Sequence, residues 1–263
     1  MKILVTGGAG FIGTTLVPKL LEEGHEVTVF DILLHGGNPI VPFFKNKNFK
    51  FIKGDIRDYD ALEAAVKGKD IIIHLAAVVG FPACRLNPQA ARDINVQGTI
   101  NLINASNKDQ IILYGSTGSN YGTIKGICTE DTPLNPLSLY GETKTEAERL
   151  LIERGNIVAY RFATAFGTSP RMRMDLLVND FAYKCIKDGY IVVYEKHFMR
   201  TFIHVSDIAD SFIFGIKNID MMIDNVYNVG HETMNYSKQE VCEMIVSKTG
   251  AFVHFEEIGE DAD

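Results

Sequence analysis

Short, uninterrupted apolar runs alternate along the chain with longer amphipathic stretches. The runs predict buried strands, because the strands of a parallel sheet are covered on both faces. The amphipathic stretches carry apolar residues at helical spacing, which predicts helices that pack on the sheet. This order predicts an α/β fold built on a doubly wound parallel sheet. The strands are expected at residues 3–5, 25–30, 49–53, 70–77, 110–114 and 156–162, and the helices after residue 13 and at 58–66, 88–104 and 140–154.

The pattern changes in two places. Residues 32–48 contain two glycines and two prolines, which predict neither helix nor strand there. Beyond residue 165 the regular alternation loosens. We therefore predict a main domain of residues 1–165 and a smaller C-terminal, substrate-binding lobe of residues 166–263. The elements expected in the lobe are a helix ending near residue 188, a strand at 190–194, a helix at 206–216 and a strand-like run at 251–256.

A glycine-rich turn joins the first strand to the first helix. Gly7 suits the tight turn, Gly10 lets the backbone approach a pyrophosphate, and Gly13 allows close packing of helix on strand. The helix N-terminus adds free N–H groups and the positive end of the helix dipole. Asp31 ends the second strand about 20 residues further on, where a carboxylate can bind the adenosine ribose hydroxyls. These residues predict a Rossmann-type site for a dinucleotide.

The acidic residue also indicates which dinucleotide is bound. The carboxylate of Asp31 would repel the 2′-phosphate of NADP, so the site favours NAD. A purely structural turn is the alternative, since any tight connection from strand to helix can use glycines. The position of Asp31 after the second strand favours the cofactor site.

Composition narrows the classes of protein. The formal net charge of −7 argues against nonspecific binding of nucleic acid, which needs a basic surface. The four cysteines lack the spacing of a metal site, so no metal is expected and reduced core thiols are the simplest interpretation. The first strand begins at the N-terminus, and no apolar run reaches the about 18 residues of a membrane span. A cytoplasmic protein without a membrane segment is therefore expected.

Two further strand ends are candidates for cofactor contacts. Asp55 and Ile56 follow the third strand, and Ala76 and Ala77 end the fourth. Ligands of open α/β sheets bind at the carboxyl ends of strands. Both an adenine contact and a helix cap are compatible with Asp55. The two alanines are small enough for a flat cofactor to lie against the backbone.

Candidate catalytic residues follow the fifth strand. After a polar, glycine-rich loop at residues 115–122 come Tyr140 and Lys144, which share one face of a predicted helix. A lysine ammonium favours a nearby phenolate, so we expect Lys144 to lower the pKa of Tyr140 toward the range of a general base. Such pairs are common on solvated helices. Only the preceding dinucleotide site makes this pair a catalytic candidate.

Three arginines of the smaller lobe are candidates for binding a diphosphate. Arg171, Arg173 and Arg200 each carry a guanidinium that can bind a phosphate with two parallel hydrogen bonds. Ordinary surface arginines are the alternative.

Taken together, these motifs resemble those of the extended short-chain dehydrogenase/reductase family, which includes nucleotide-sugar epimerases and dehydratases. The resemblance runs over nearly the whole chain. It rests on residues 6–13, Asp31, residues 54–56 and 74–77, Thr117 before Asn120, Tyr121 and Gly122, the pair Tyr140 and Lys144, Arg161, and residues 200–207.

The resemblance implies a role for each candidate residue. Thr117, Tyr140 and Lys144 would be the catalytic residues. NAD would be bound by Gly7, Gly10, Phe11, Ile12, Gly13, Asp31, Asp55, Ile56, Leu75, Ala76, Ala77, Tyr140 and Lys144. A nucleotide-diphosphate sugar would be bound by Asn95, Thr164, Arg171, Arg173 and Arg200.

The implied reaction is oxidation of a sugar hydroxyl, commonly at C4. Tyr140 would take the hydroxyl proton, and Thr117 would hydrogen-bond the same oxygen. In an epimerase the keto sugar is transient, because it turns over and is reduced on its other face. The resemblance therefore implies an NAD-dependent nucleotide-sugar epimerase or a related C4 oxidoreductase.

Departures from the family pattern separate its branches. The 4,6-dehydratases carry Asp-Glu directly after the catalytic threonine, where this chain has Gly118 and Ser119, so dehydration is disfavoured. Thr164 stands where the family usually has an asparagine, which argues against a standard UDP-galactose-type site. Residues 79–84 and 169–181 resemble a branch that includes C4-dehydrogenases of nucleotide-activated heptoses.

Two alternatives to the epimerase remain. One is a net dehydrogenase or reductase, which would release its cofactor in changed form. The other is a dinucleotide-binding sensor without catalysis, against which the complete set of Thr117, Tyr140 and Lys144 argues.

The resemblance also implies features outside the active site. Family members usually continue through further helices, so the lobe is expected to be incomplete at residue 263. A homodimer is implied through helices 90–105 and 140–154. Their outward residues would include Ile94, Ile100, Leu150 and Leu151, although such residues are also common in cores.

Overall fold

The main sheet consists of seven parallel strands, which are the six that the sequence predicts and one more, Asn225–Val229. The computed structural model describes residues 1–124 and 126–257. The strands are β1 (Lys2–Thr6), β2 (Glu26–Asp31), β3 (Phe49–Lys53), β4 (Ile71–His74), β5 (Ile111–Thr117), β6 (Ile157–Phe162), β7 (Thr164–Phe166), β8 (Tyr190–Tyr194), β9 (Met199–His204), β10 (Asn225–Val229), β11 (Asn235–Ser237) and β12 (Phe252–Glu256). The order in the main sheet is β10-β6-β5-β4-β1-β2-β3. The strand order therefore reverses between β1 and β4, which opens a crevice at their carboxyl ends.

Helices cover both faces of this sheet. They are α1 (Gly13–Glu22), α2 (Tyr59–Val66), α3 (Phe81–Leu86), α4 (Pro88–Arg92), α5 (Gly98–Ala105), α6 (Leu139–Arg154), α7 (Leu177–Asp188), α8 (Val205–Lys217), α9 (Ile219–Met222) and α10 (Lys238–Thr249). Side chains alternate along β1, so Ile3 joins the core under α1 and α8, while Leu4 joins the core under α2, α5 and α6. Leu151, one of the residues expected to face outward, lies in the second core and is fully buried.

Three local predictions need correction. A 3₁₀ helix, Asn38–Lys45, forms inside the segment expected to be irregular, with Pro39 in its first turn and Ile40 and Phe43 buried. Proline fits the start of a helix because its fixed φ is already helical. The helix expected at 88–104 is interrupted by a π-helical turn, Asp93–Gln97, and α3 was not predicted.

The smaller lobe has its own core. The sheet β11-β9-β7 and the pair β12-β8 pack with α7 and α10 around Phe181, Val193 and Val241. However, two elements that come after residue 165 belong to the main domain: β10 is a strand of the main sheet, and α8 packs on that sheet. The division at residue 165 stays a prediction, and residues 258–263 of the predicted lobe lie outside the described residues.

The described part of the chain offers neither a membrane-spanning helix nor a cluster of metal ligands. None of its helices is both long and apolar enough to cross a membrane. Nowhere in residues 1–124 and 126–257 do three His, Cys, Asp or Glu side chains come together as metal ligands.

Candidate active site

The glycine-rich turn places β1 and α1 in very close contact. Gly7 has a φ of +72°, and a Cβ atom there would lie 2.6 Å from the backbone nitrogen of Ala76. At Gly13 a Cβ would lie 2.5 Å from Gly8 Cα. A Cβ on Gly10 would meet only the Gly7 carbonyl oxygen, at 3.1 Å, so this part of the turn remains open. The steric roles predicted for Gly7 and Gly13 agree with this geometry.

Helix α1 presents its N-terminus to the open side of the turn. Ile12 is the N-cap residue, and no side chain of the described chain caps this end of the helix. The first N–H groups of a helix lack internal partners and attract anions. Phe11 is buried, and its carbonyl oxygen accepts a hydrogen bond from Ser169 Oγ at 2.7 Å.

Asp31 faces the same turn from the end of β2. Its Oδ2 accepts a hydrogen bond from the Ala9 backbone N–H at 3.0 Å, and its Oδ1 accepts one from the Leu33 N–H at 2.7 Å. Each oxygen keeps a lone pair free for a further donor, since a carboxylate offers about four acceptor positions. The carboxylate is therefore held beside the glycine turn and can accept ribose hydroxyls.

Asp55 and Ile56 follow β3 but differ in their contacts. Asp58, not Asp55, caps helix α2 by accepting from the Ala61 N–H. The carboxylate of Asp55 is bound by the Arg57 guanidinium, which lowers its pKa. Ile56 is buried against the α5 helix, where a side chain at Gly98 would collide with it. The helix-cap alternative for Asp55 is therefore excluded, and an adenine contact stays a prediction.

Several observations fit a bound dinucleotide. The uncapped α1 N-terminus, the open side of Gly10 and the Asp31 carboxylate lie at the carboxyl ends of β1 and β2. Leu75, Ala76 and Ala77, which are partly exposed, follow β4 on the other side of the crevice. The donor groups suit a diphosphate, and the carboxylate suits a ribose.

Thr117, Tyr140 and Lys144 come together where β5 meets α6. The side chain of Thr117 is hydrogen-bonded to that of Tyr140, and Thr117 Oγ1 also accepts from the Ser119 N–H at 3.1 Å. Lys144 is buried, with its Nζ 4.0 Å from the centre of the Tyr114 ring. The predicted catalytic residues are therefore neighbours in the fold.

Burial has the largest effect on the pKa values of both Tyr140 and Lys144. Loss of water raises the pKa of Tyr140, and the Thr117 hydrogen bond and the charge of Arg173 oppose this rise only in part. Burial likewise lowers the pKa of Lys144 to about 7. The expected net fall of the Tyr140 pKa toward the range of a general base is therefore wrong for the protein alone, because desolvation penalises the charged form of each group.

Two residues lie near Tyr140 although the sequence did not predict them there. Cys84 on α3 is buried close enough to influence the charges of both Tyr140 and Lys144, and its thiol donates to the Val78 carbonyl oxygen. Arg173 also acts on Tyr140, although it was predicted to bind a diphosphate. Neither position could be found from spacing, since both residues reach the site through tertiary contacts.

Asn95 lies in the π-helical turn and is buried. Its Oδ1 accepts from the Val78 N–H at 2.8 Å, while its Nδ2 donates to the Val78 carbonyl at 2.9 Å and to Thr143 Oγ1 at 3.0 Å. The amide thus ties the segment after β4 to the catalytic helix α6. These contacts occupy the side chain that was expected to bind substrate.

The arginine-bearing segment, residues 169–175, lies across the glycine-rich turn. Ser169 Oγ is 2.9 Å from Thr14 Oγ1, and the Arg171 N–H donates to Thr14 Oγ1 at 3.3 Å. Asn179 holds the segment from α7, because its Nδ2 donates to the Arg173 carbonyl at 2.9 Å. The spacing along α7 does not mark Asn179, because its burial is set by the tertiary structure.

Arg200 and Thr164 lie in the neighbouring sheet. Thr164 begins β7 and pairs with Phe202 of β9, two residues from Arg200. Arg200 Nε is buried, and none of the described residues accepts a hydrogen bond from it. A buried donor without a partner is costly, so an anionic ligand at this position would relieve it.

The sequence of this chain is similar to those of known proteins over most of its length. The sequence model of the NAD dependent epimerase/dehydratase family matches residues 3–230. The chain is similar to the UDP-glucose 4-epimerase of Lactobacillus helveticus, with 30% identity over 278 residues that cover 95% of this chain and 82% of that protein. It is also similar to the dTDP-glucose 4,6-dehydratase of Streptomyces niveus, with 30% identity over 95% of this chain and 78% of that protein.

The fold is also shared with solved structures. The UDP-glucuronic acid 4-epimerase from Bacillus cereus, in complex with UDP-glucuronic acid and NAD, superposes with a TM-score of 0.89. The two chains are 28% identical, and the match covers 98% of this chain and 86% of that one.

Proposed function

The chain belongs to the NAD-dependent epimerase/dehydratase family, and on that premise we propose that it is a nucleotide-sugar epimerase that oxidises a sugar hydroxyl, most simply at C4, with NAD as its cofactor. The observation that carries the proposal is the hydrogen bond between the Thr117 and Tyr140 side chains, with the buried Lys144 one turn after Tyr140 on α6. This arrangement stands at the crevice formed by the glycine-rich turn and the end of β4. A binding protein without catalysis would need only the turn and Asp31.

The cofactor would be held by the groups that surround the crevice. Its diphosphate fits the α1 N-terminus at Gly10, Phe11, Ile12 and Gly13, and its ribose fits Asp31. When bound, NAD supplies the two-electron oxidation of the sugar carbon and its reversal.

The side chains of β5 and α6 would handle the proton. Tyr140 would accept the proton of the sugar hydroxyl, and Thr117 would hydrogen-bond the same oxygen. Because burial raises the pKa of Tyr140, the phenolate has to be favoured by charges that are present in the complete site. Arg173, whose charge acts on Tyr140, and the ammonium of Lys144, one turn after Tyr140 on α6, would supply this positive charge.

The diphosphate of the sugar nucleotide would be bound by arginines of the smaller lobe. Arg200 carries a buried donor in need of an acceptor, and Arg171 and Arg173 lie on the segment across the glycine-rich turn. Thr164 lies in the same small sheet as Arg200 and would contact the sugar. Asn95 would act through Val78 and Thr143, which its amide holds.

Dehydration of the sugar is disfavoured at this site. Eliminating water needs an acid and a base next to the reacting carbons. Gly118 and Ser119, which follow Thr117 in a 3₁₀ helix, provide neither. A net dehydrogenase uses the same residues as an epimerase and is therefore the second candidate, to be separated by experiment. For this second candidate the substrate would be a nucleotide-activated heptose, as the resemblance of residues 79–84 and 169–181 indicates.

One incubation separates the two candidates. The purified protein is mixed with NAD and with UDP-, GDP-, CDP- or dTDP-sugars, and reduced nicotinamide and the proton NMR spectrum of the sugar are followed together. A new stereoisomer without net reduced cofactor supports the epimerase. A keto sugar with an equal amount of reduced cofactor supports the dehydrogenase. The absence of any turnover across the panel contradicts both.

The role of Tyr140 can be tested in the same assay. We expect Tyr140→Phe to lower kcat/KM by on the order of 10²–10⁴-fold, because the ring remains but the proton acceptor is lost. NAD affinity, measured by calorimetry, should stay close to that of the parent protein. Full activity in this variant would contradict the assignment.

The location and assembly of the protein stay predictions. A cytoplasmic location is expected from the sequence. A homodimer is expected from the family resemblance, through the outer faces of α5 and α6.

A further inference from the structure

A buried carboxylate lies directly behind the candidate catalytic residues. Glu148 follows Lys144 by four residues and Tyr140 by eight, so the three side chains share one face of α6. Glu148 is 1% exposed and Lys144 is 3% exposed. Carboxylates are almost never this deeply buried unless they are paired. The reaction proposed above does not use Glu148.

Three side chains fix the carboxylate of Glu148. Arg161 Nη2 donates to Oε1 at 2.6 Å, and Arg161 Nε lies 3.3 Å from Oε2. Ser116 Oγ and Asn120 Nδ2 both donate to Oε2, at 2.5 and 3.1 Å. Every one of these contacts is accepted by the carboxylate, so it is fully satisfied as an ionised group. Its negative charge therefore has a fixed position in the fold.

Arg161 is itself held in place on the far side of the carboxylate. Its Nη1 donates to the Tyr121 hydroxyl at 2.7 Å and to the Glu130 carbonyl at 3.1 Å. Glu148 thus has Arg161 as its direct ion-pair partner, and the buried Lys144 lies one turn before it on α6.

The other groups around Lys144 carry no compensating charge near neutral pH. Burial lowers the pKa of His74 on β4 to about 3, so this ring is neutral. Burial raises the pKa of Cys84 on α3 and of Tyr114 on β5, and it also raises that of Tyr140. Within the described part of the chain, Glu148 is the group whose attraction most strongly supports the charge of Lys144.

We propose that Glu148 is a positioning residue of the active site, whose carboxylate, fixed by Arg161, Ser116 and Asn120, keeps the buried Lys144 side chain in its ammonium form. The use of that ammonium beside the cofactor and Tyr140 rests on the proposed function. The charge of Lys144, by contrast, is a property of the protein alone and is measurable without substrate or cofactor.

Direct titration of Lys144 tests the proposal. The protein is labelled with carbon-13 lysine, and the Cε signal that disappears in Lys144→Met is followed against pH by NMR. Glu148→Gln keeps the size of the side chain but removes its charge. In this variant we expect the titration midpoint of Lys144 to fall by about one pH unit or more, because the attraction of the carboxylate is lost.

A matched variant on the same helix controls for general electrostatics. Glu153 is exposed and paired with Arg149, so Glu153→Gln should leave the midpoint of Lys144 unchanged. If Glu148→Gln does not fold, the double variant Glu148→Leu with Arg161→Met removes the whole pair without leaving an unpaired charge. The midpoint of Lys144 should then also fall, because the carboxylate is absent. A midpoint equal to that of the parent in every folded Glu148 variant would overturn the proposal.

A second measurement separates this role from a merely structural one. Once a substrate is identified, kcat/KM is measured against pH. On the alkaline side kcat/KM falls as Lys144 loses its proton, and this fall should occur at a lower pH in Glu148→Gln than in the parent protein. A structural defect would instead lower the rate by the same factor at every pH. If no sugar nucleotide turns over, the proposed function fails while the titration of Lys144 still decides the role of Glu148.

Discussion

At the scale of single residues, burial decides the protonation of the groups around the crevice. His74 illustrates this, because its ring is buried between two hydroxyls. Thr99 Oγ1 donates to the Asn95 carbonyl and lies 3.1 Å from His74 Nε2, so Nε2 is the nitrogen that donates. His74 Nδ1, 2.7 Å from Thr6 Oγ1, is then the acceptor. This neutral ring satisfies both neighbours, whereas a charged ring would lose its solvation.

The neutral state of His74 predicts a loss of stability in acid. The unfolded chain takes up the proton near pH 6.5, but the folded protein resists it until about pH 3. Stability therefore falls as the pH drops below 6.5, by about 1.4 kcal/mol per pH unit, or about 2 kcal/mol between roughly pH 7.5 and pH 5. Urea unfolding at the two pH values measures this loss.

The variant His74→Gln isolates this contribution. Glutamine keeps a donor and an acceptor but does not titrate, so the other groups contribute equally in both proteins. We expect the acid loss to be smaller in the variant by about 2 kcal/mol. An equal loss in both proteins would show that His74 is not the group responsible.

At the scale of elements, the connection from β1 to α1 depends on glycine for two separate reasons. Gly7 has a positive φ, which glycine adopts without strain, and it also lies against the backbone after β4. The second reason is the one that concerns function, because Ala76 is expected to line the cofactor. The close packing of Gly7 against Ala76 therefore fixes the end of β4 and, with it, one expected wall of the cofactor site.

Two alanine substitutions separate these reasons. Gly68 has a φ of +73°, nearly equal to that of Gly7, but a Cβ there would meet no atom within 4 Å. We expect Gly68→Ala to cost about 1 kcal/mol of unfolding free energy, from backbone strain alone. Gly7→Ala should cost at least about 3 kcal/mol, because the backbone at Ala76 has to move as well.

Cofactor binding provides the second measurement for this pair. Calorimetry should give Gly68→Ala the NAD affinity of the parent, whereas Gly7→Ala should bind at least about tenfold more weakly. Equal stability and equal affinity in the two variants would contradict this effect of the close packing at Gly7.

At the scale of the whole molecule, the chain leaves the main sheet and then returns to it. After β6 it forms β7, α7, β8 and β9 of the smaller lobe, then adds α8 under the main sheet and β10 at its edge. The segment from β7 to β9, which carries Arg171, Arg173 and Arg200, is thus joined to elements of the main sheet at both of its ends. The two parts of the candidate site are held together by this return.

The outer face of α5 and α6 predicts assembly into a dimer. Ile100 and Leu150 are partly exposed and belong to none of the hydrophobic cores, whereas Leu151 is buried in one. We expect light scattering to give about twice the monomer mass. Ile100→Glu should yield monomers, because a charge would have to be desolvated in the interface.

A distant apolar residue is the control for the dimer. Ile186 on α7 is exposed, and Ile186→Glu should leave the mass unchanged. A parent protein that is monomeric at all concentrations tested would contradict the prediction.

The sequence by itself determined the parallel sheet, the glycine-rich turn with Asp31, and the shared helix face of Tyr140 and Lys144. These features depend on residues that are close along the chain, where periodicity and backbone sterics act directly. The buried Glu148 also followed this spacing, four residues after Lys144, but nothing in the pattern indicated its partner Arg161 as an ion pair.

Only the tertiary structure decided the rest. It returned β10 to the main sheet, brought Cys84 and Arg173 to Tyr140, and occupied the Asn95 amide with Val78 and Thr143. It also reversed the expected direction of the Tyr140 pKa, because the cost of burying a charge depends on everything packed around the group and not on its neighbours in sequence.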